Sequence, residues 1–191
     1  MQVLSESDFR TVPWKNGGGV TIDLLMRPAD ATHETFDLRL ARAPITSEGP
    51  FSSYPGIDRI ITLIRGQRLD LDFGGKTLSL TPFAPALFDS TLAPRSRLPD
   101  GPVEVINVMT RRSVWTSSVE VLRGAQRRSV AARPGDIQLV YVLDGRIRAC
   151  NGTPVTVSGG QALVIDRDSA TLEAGPDLVA ILARLSPADG R

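Results

Sequence analysis

The chain has 191 residues, enough for one large domain or two small ones, and hydrophobic residues make up 41% of it. Basic and acidic residues number 22 and 21, and the resulting net charge of +1 excludes the basic surface typical of nucleic-acid-binding proteins. A single cysteine, Cys150, excludes an internal disulfide and fits a reducing compartment.

The N-terminal segment predicts a helical turn and no targeting signal. Ser5, Glu6, Ser7 and Asp8 make its start too polar for the apolar centre of a secretory signal. Ser5 or Ser7 is a suitable N-cap for a turn over residues 5–10. No uncharged apolar run reaches the ~18 residues that a membrane-spanning helix needs. We therefore expect a cytoplasmic protein that does not associate with membranes.

Short β-strands separated by turns are predicted over the rest of the chain. The 17 glycines and 14 prolines divide the sequence into short runs rich in Val, Ile, Leu and Thr. No window of a dozen residues shows capped helical periodicity. The pattern indicates an all-β protein, either a sandwich or a barrel. The clearest strands are Arg59–Arg65, Thr77–Leu80, Pro102–Met109, Ile137–Leu143 and Ala162–Ile165.

Two parts of the chain repeat one another at a nearly constant offset. The apolar strand before Gly66 resembles the strand before Gly145, 79 residues later, and the segment ending at Asp89 resembles the one ending at Asp166, 77 residues later. Two matches in the same order predict a duplicated barrel with glycine at each tight turn. We assign residues 1–115 to an N-terminal barrel with an N-terminal extension, and residues 116–191 to a C-terminal barrel.

Four sequence blocks in the first half resemble the HutD/Ves family, in the order that the family shows. They are WKNGGGVT at 14–21, FDLRLARA at 36–43, GPFSSYPGIDR at 49–59 and NVMTRR at 107–112. The resemblance implies two cupin-like (RmlC-like jelly-roll) β-barrels in one chain, a bicupin, in a cytoplasmic bacterial protein. It also implies a link to histidine utilisation, in a regulatory or ligand-sensing role, and it brings no settled enzymatic activity.

Residue types argue against the metal site that is usual in cupins. Such sites use histidines and a glutamate that converge inside the barrel. This chain has one histidine, His33, in a polar loop where we expect it to be exposed and not a base. Counting back from Gly66 places the glutamate position at Arg59, and Gln138 holds the corresponding position in the second half. We therefore predict no metal and no other cofactor.

Arg59 and Arg39 are candidates for binding an anion. A cation inside an apolar barrel needs a negative partner. For Arg59 that partner is either a local acid, such as Asp58 or Glu48, or a ligand carboxylate held by two parallel hydrogen bonds. Arg39 lies on a strand of alternating pattern and faces either the interior or solvent. Two arginines in one barrel would suit a dicarboxylate or an amidated amino acid.

Five further residues are candidate ligand contacts. Trp14 can cover a pocket, Asn16 can form a hydrogen bond within it, and Gly18 permits close backbone approach. The alternative is a tight crossing strand with Trp14 in the core. Asn107 lies in an apolar run, and its amide needs partners either on neighbouring strands or in a ligand. Arg111 ends that strand, where solvent or an inter-barrel contact is the alternative.

Three functions are compatible with these patterns. The first is a metal-free binding or regulatory protein for a small anionic metabolite. The second is a metal-independent isomerase or lyase, and the third is a protein-interaction module, for which a homodimer is one form. The arginines at ligand positions and the lack of a nucleophile–histidine–acid set favour binding over catalysis. Acid–base candidates for the second function are Asp58, Asp70, Asp72, Tyr54 and Tyr141.

Overall fold

The computed structural model describes residues 1–14, 19–130, 133–166 and 169–188. Within these ranges the chain is all-β, as predicted, with two short 3-10 helices at Glu6–Asp8 and Ser90–Leu92. None of its described helices has the length and apolar character needed to cross a bilayer. The strands are β1 (Gln2–Leu4), β2 (Arg10–Pro13), β3 (Val20–Arg27), β4 (Leu38–Ile45), β5 (Gly49–Pro50), β6 (Ile57–Arg65), β7 (Leu69–Asp72), β8 (Thr77–Leu80), β9 (Ala86–Asp89), β10 (Arg95–Arg97), β11 (Val103–Arg111), β12 (Trp115–Arg123), β13 (Gln126–Val130), β14 (Ile137–Asp144), β15 (Arg146–Asn151), β16 (Thr153–Ser158), β17 (Ala162–Ile165), β18 (Ala170–Ala174) and β19 (Val179–Pro187).

The chain forms two compact units. The first unit is Arg10–Trp115, and the second unit combines Met1–Phe9 with Thr116–Arg191. The first nine residues belong to the second unit because β1 pairs antiparallel with β17, and because Met1 and Val3 pack against the core of that unit. The turn predicted near the N-terminus is the 3-10 helix Glu6–Asp8, where the backbone N–H of Ser5 donates to the Asp8 carboxylate at 2.9 Å.

The first unit contains a six-stranded sheet, in the order β2-β3-β4-β11-β6-β9, and a four-stranded sheet, in the order β5-β10-β7-β8. Its core takes residues from both sheets, such as Ile61 and Val105 from the larger one and Leu69 and Leu71 from the smaller. Side chains alternate between the two faces of a strand. The face of β6 and β11 that supplies Ile61 and Val105 to the core therefore also carries Arg59 and Asn107.

The second unit is built in the same way. Its sheets have the orders β1-β17-β14-β19-β12 and β13-β18-β15-β16, and its core takes Val140 and Leu182 from the first and Ile147 and Leu172 from the second. Strand β14 lies between β17 and β19, just as β6 lies between β9 and β11. The repeated segments thus occupy equivalent places. The four sheets are open in the part of the chain that the structure describes, and two closed barrels are not confirmed.

The two repeated turns need glycine. Gly66 and Gly145 have φ of +92° and +74°, in the region that L side chains rarely adopt. A Cβ would lie 2.7 Å from a Val103 methyl carbon at Gly66 and 2.7 Å from the Asp177 carbonyl oxygen at Gly145. A side chain at either position would therefore both strain the backbone and displace a neighbouring strand end.

Candidate functional site

A cavity of about 570 Å³ opens inside the first unit. This volume lies in the range of small-molecule sites. Strands β2, β4, β6 and β11 line it together with the loop over residues 51–55. Apolar and aromatic residues make up about half of the lining, and the polar residues include the cations Arg39 and Arg59 and the acids Glu34 and Glu48. The cavity thus has the composition of a ligand pocket.

Strand register places the two predicted arginines on one wall. Met109 of β11 is opposite Arg39 of β4 on one side and opposite Arg59 of β6 on the other. Residues directly opposite in a sheet share a face, so both arginines point to the interior face with Met109. Their Cα atoms are two strand spacings apart, roughly 10 Å. A small ligand can span that distance.

Arg59 is a buried cation whose side-chain contacts within the described ranges are with aromatic rings. It is 5% exposed, and its Nε has no hydrogen-bond partner among the described residues. Its guanidinium carbon lies 5.1 Å, 5.8 Å and 5.6 Å from the ring centroids of Phe51, Tyr54 and Phe88. Burial lowers the pKa of Arg59 to about 10, although the hydroxyl of Tyr54 acts in the opposite direction. The guanidinium is therefore charged at neutral pH and short of polar partners.

The two acids named as internal partners for Arg59 are engaged elsewhere. Asp58 accepts hydrogen bonds from Arg112, and Glu48 accepts one from the backbone N–H of Leu98. In the described ranges no carboxylate forms a salt bridge with Arg59. The internal salt bridge proposed from sequence for Asp58 and Glu48 is therefore wrong, and the anion-binding alternative remains.

Arg39 differs from Arg59, because a carboxylate of the protein already pairs with it. It is 5% exposed, which resolves its orientation toward the interior. Its Nε and Nη2 both lie 2.7 Å from Oδ1 of Asp23, a residue of β3 that is itself buried. Arg39 thus shapes the pocket wall, and most of its charge is compensated within the protein.

His33, expected to be exposed, is only partly exposed. The side chain lines the cavity, is 29% exposed, and its Nε2 lies 2.9 Å from Oδ2 of Asp23. Sequence reasoning missed this contact because the loop around His33 is polar and Asp23 is ten residues away. The available signal was Asp23 itself, the one acid in strand β3.

Of the remaining candidates, Asn107, Arg111 and Trp14 also line the cavity. Asn107 is 6% exposed, and its Oδ1 has no partner among the described residues. Arg111 donates to the Asp37 carboxylate at 2.7 Å and to the Phe36 carbonyl at 2.9 Å.

The ring of Trp14 packs beside the backbone of Gly19, and its indole nitrogen forms a hydrogen bond. Its Nε1–H donates to the Thr21 hydroxyl at 2.8 Å, and its ring lies 3.2 Å from where a Cβ on Gly19 would be. Asn16 and Gly18 lie outside the described residues.

The predicted acid–base candidates other than Tyr54 either form salt bridges or lie outside the cavity. Asp70 and Asp72 form salt bridges with Arg68 and Arg97, and Tyr141 is buried in the second unit. Among the described residues, no group of three or more His, Cys, Asp or Glu side chains could hold a metal ion.

The counterpart of Arg59 in the second unit lies opposite a charged residue, because Gln138 pairs with Arg184 in the register of β14 and β19. Gln138, the counterpart of Arg59, is 3% exposed, and its Oε1 has no described partner. Glu120 of β12 accepts hydrogen bonds from Arg128 of β13 and, at 3.1 Å from both terminal nitrogens, from Arg184 of β19. Hydrogen bonds from Arg128 first, and then from Arg184, hold the pKa of Glu120 below its ordinary value.

Comparisons with known proteins agree with the blocks seen in the sequence. The pattern that defines the HutD family matches residues 6–180. An uncharacterised 21.2 kDa protein from the hutC 3′ region of Pseudomonas putida is 29% identical over 66% of this chain and 67% of its own length. Protein Ves from Citrobacter koseri is 33% identical over 60% of this chain, and the matched part spans only 61% of that relative.

A solved structure extends the likeness to the whole chain. HutD from Pseudomonas fluorescens SBW25, in a formate condition, aligns with a TM-score of 0.80 and 25% identity over 98% of both chains. More distant structural neighbours include cupin proteins, for which the likeness concerns the fold alone.

Proposed function

The chain belongs to the HutD family, and from this premise we propose that it is a metal-free bicupin that binds a small anionic metabolite in the cavity of its first unit. One observation carries the proposal: Arg59 is a buried guanidinium without an acidic partner among the described residues, and it lies on the wall of a cavity of about 570 Å³.

A carboxylate is the ligand group that such a guanidinium fits best. Its planar fork can donate two parallel hydrogen bonds to one carboxylate, and charge-assisted bonds are about twice as strong as neutral ones. The aromatic rings around Arg59 compensate its charge only in part. Asn107 adds an amide beside it whose oxygen lacks a partner in the described structure, so a ligand N–H or O–H would complete that hydrogen bond.

The role we infer is that of a binding or regulatory accessory protein connected with histidine utilisation. Family membership and the relative from the hutC 3′ region support this setting. The anionic intermediates of histidine breakdown are small carboxylates, which is the ligand group that we infer for Arg59.

A thermal-shift screen followed by calorimetry tests the proposal. The probes are histidine, urocanate, glutamate, formylated and formimino glutamates, sugar acids and sugar phosphates, each with and without a chelator. A ligand that binds only the folded protein, at 100 times its Kd, stabilises it by about 2.7 kcal/mol. We expect a carboxylate to give such a shift, and we expect the shift to be insensitive to the chelator.

The variant Arg59→Met should abolish the shift and the calorimetric signal. Arg65→Met is the matched control, because Arg65 lies on the same strand but is exposed and pairs with Glu104 away from the cavity. A shift retained in Arg59→Met, a shift lost on chelation, or a flat screen would each overturn the proposal.

A further inference from the structure

Three ionisable side chains form a hydrogen-bonded chain that ends in the cavity. Arg39 donates from Nε to Oδ1 of Asp23 at 2.7 Å, and Nε2 of His33 lies 2.9 Å from Oδ2 of the same carboxylate. Arg39 and Asp23 are each 5% exposed, so water hardly competes for these bonds. His33 is the outermost member, and it is the only histidine in the sequence.

This arrangement fixes which nitrogen of His33 carries the proton. Asp23 is ion-paired with Arg39, and an ionised carboxylate can only accept hydrogen bonds. The hydrogen in the bond between Asp23 and His33 therefore belongs to Nε2. In the neutral imidazole the other nitrogen, Nδ1, then carries a lone pair. An acid that holds one imidazole nitrogen so that the other can act as a base is the arrangement of hydrolase triads.

The lone pair of Nδ1 is available to a ligand. Asp23 is the only partner of His33 among the described residues, and the His33 side chain lines the same cavity as Arg59. No described carboxylate shields Arg59, so this cation can stabilise negative charge that develops on a bound molecule. The cavity therefore combines an oriented base with an uncompensated cation.

We propose that His33 is a general base that removes a proton from carbon in a carboxylate ligand held by Arg59, with Asp23 and Arg39 as positioning residues. The inference rests on the proposed binding site and adds a reaction to it. The substrate class is a 2-oxo acid. Its carboxylate and keto oxygens lie side by side and fit the two donors of one guanidinium fork, and its keto group acidifies the hydrogens on C3.

The step is a proton transfer that needs no other reactant. The lone pair of Nδ1 takes a proton from C3, and the electrons of that C–H bond form a C2–C3 double bond. The electron pair of the carbonyl bond then moves to the keto oxygen, beside Arg59, and gives an enolate. Reversal returns a proton to C3. In heavy water the returned proton is a deuteron, so turnover appears as exchange at C3 without net chemical change.

Proton NMR in heavy water measures this exchange directly. The probes are 2-oxoglutarate and pyruvate, with the full-length protein at one hundredth of the probe concentration. A positioned general base contributes about 10²–10⁴-fold. We expect the C3 signal of at least one probe to decay at least tenfold faster than in buffer alone, and faster than with His33→Gln purified in the same way.

Variants separate this reaction from binding. His33→Gln should lose the exchange and bind the same probe with a Kd within about threefold of the original, because Arg59 is intact and His33 is part-exposed in a loop. Asp23→Asn, a positioning variant, should slow the exchange more than it weakens binding, provided its melting temperature shows that it folds. Arg59→Met should lose both binding and exchange.

Each outcome decides one of the two proposals. Binding of a probe without exchange would overturn the role of His33 and leave the anion site standing. Exchange that persists in His33→Gln would also overturn it. Absence of both exchange and probe binding would reject the 2-oxo acid reaction, and the wider carboxylate screen then decides the binding proposal separately.

Discussion

The two arginines on one wall of the cavity differ in whether an acidic side chain compensates their charge. Arg39 lies against the buried carboxylate of Asp23, whereas Arg59 has aromatic rings around it and no described acid. A buried charge without a partner destabilises the folded state, while removal of one member of a buried pair leaves the other uncompensated. The same substitution at the two positions should therefore change stability in opposite directions.

We expect Arg59→Met to raise the free energy of unfolding by about 1 kcal/mol or more, because it removes a desolvated charge whose lowered pKa reflects that cost. Arg39→Met should lower it by about 3 kcal/mol, because the buried Asp23 would lose its cation and keep only the hydrogen bond to His33. Urea unfolding of the ligand-free protein measures both. A clear loss of stability in Arg59→Met would mean that the aromatic contacts outweigh desolvation and that Arg59 is a structural residue.

For single residues, the sequence predicts which side chains lie in the interior better than it predicts their hydrogen-bond and ion-pair partners. The count back from Gly66 identifies Arg59 as an interior residue, and the structure agrees. The partner of Arg39 could not be found, because it depends on how β3 pairs with β4 across an irregularity between Asp23 and Leu25. A change of register by one residue turns a side chain to the other face. His33 was misjudged for the same reason, since its neighbour Asp23 comes from another element.

Among elements, the strands that the sequence predicts best are those bounded by clear turns. Thr77–Leu80 and Ala162–Ile165 have the predicted bounds, and the strand predicted at Pro102–Met109 is observed at Val103–Arg111. Very short strands such as Gly49–Pro50 gave no signal, because two residues carry no alternation. They form through pairing with distant partners, here Arg95 and Ser96.

Three strands of the second unit are joined by the ion pairs of Glu120. The residue lies on β12, Arg128 on β13 and Arg184 on β19. Because the folded-state pKa of Glu120 is lowered, its contribution is complete above its unfolded pKa, near 4.5, and is lost as the pH falls through the folded value. Burial is partial, so salt and water reduce the effect.

We expect Glu120→Gln to lower the free energy of unfolding by about 1 kcal/mol at pH 7, a difference that should shrink as the pH falls below the unfolded pKa of Glu120. Thermal unfolding across this pH range measures it. Glu173→Gln is the control, because Glu173 also lies between two arginines, Arg127 and Arg148, but at 3.6 Å from each. A Glu120 effect that does not depend on pH would show that packing, not charge, holds the three strands.

At the scale of the whole molecule, the second unit depends on the first residues of the chain. Val3 packs against its core, while the neighbouring side chain of Gln2 is exposed. We expect Val3→Asp to lower the free energy of unfolding by about 2 kcal/mol, because a charge would face apolar side chains. Gln2→Asp should change it by less than about 0.5 kcal/mol. Hydrogen exchange of the β17 amides measures local opening, and equal effects of the two variants would contradict the packing seen here.

The all-β class, the repeat and the family were predictable because they rest on short apolar runs, glycine spacing and local blocks. The sequence identified candidate ligand contacts in the first half of the chain, but it did not predict the cavity that they line. Its chemistry depends on contacts between strands, and the second unit's use of Met1–Phe9 depends on the pairing of β1 with β17, two strands that are far apart in the sequence. Patterns of neighbouring residues contain no information about either.

That pairing has a consequence for how the protein is made. Chains are synthesised from the N-terminus, and domains generally fold as units. The first unit is one continuous segment, so all its strands emerge from the ribosome before the second unit can form. Strand β1 leaves the ribosome before the first unit, yet its partner Ala162–Ile165 is translated after that unit. Throughout that interval β1 is an unpaired strand edge, and its length of only three residues limits how well it can recruit a wrong neighbour.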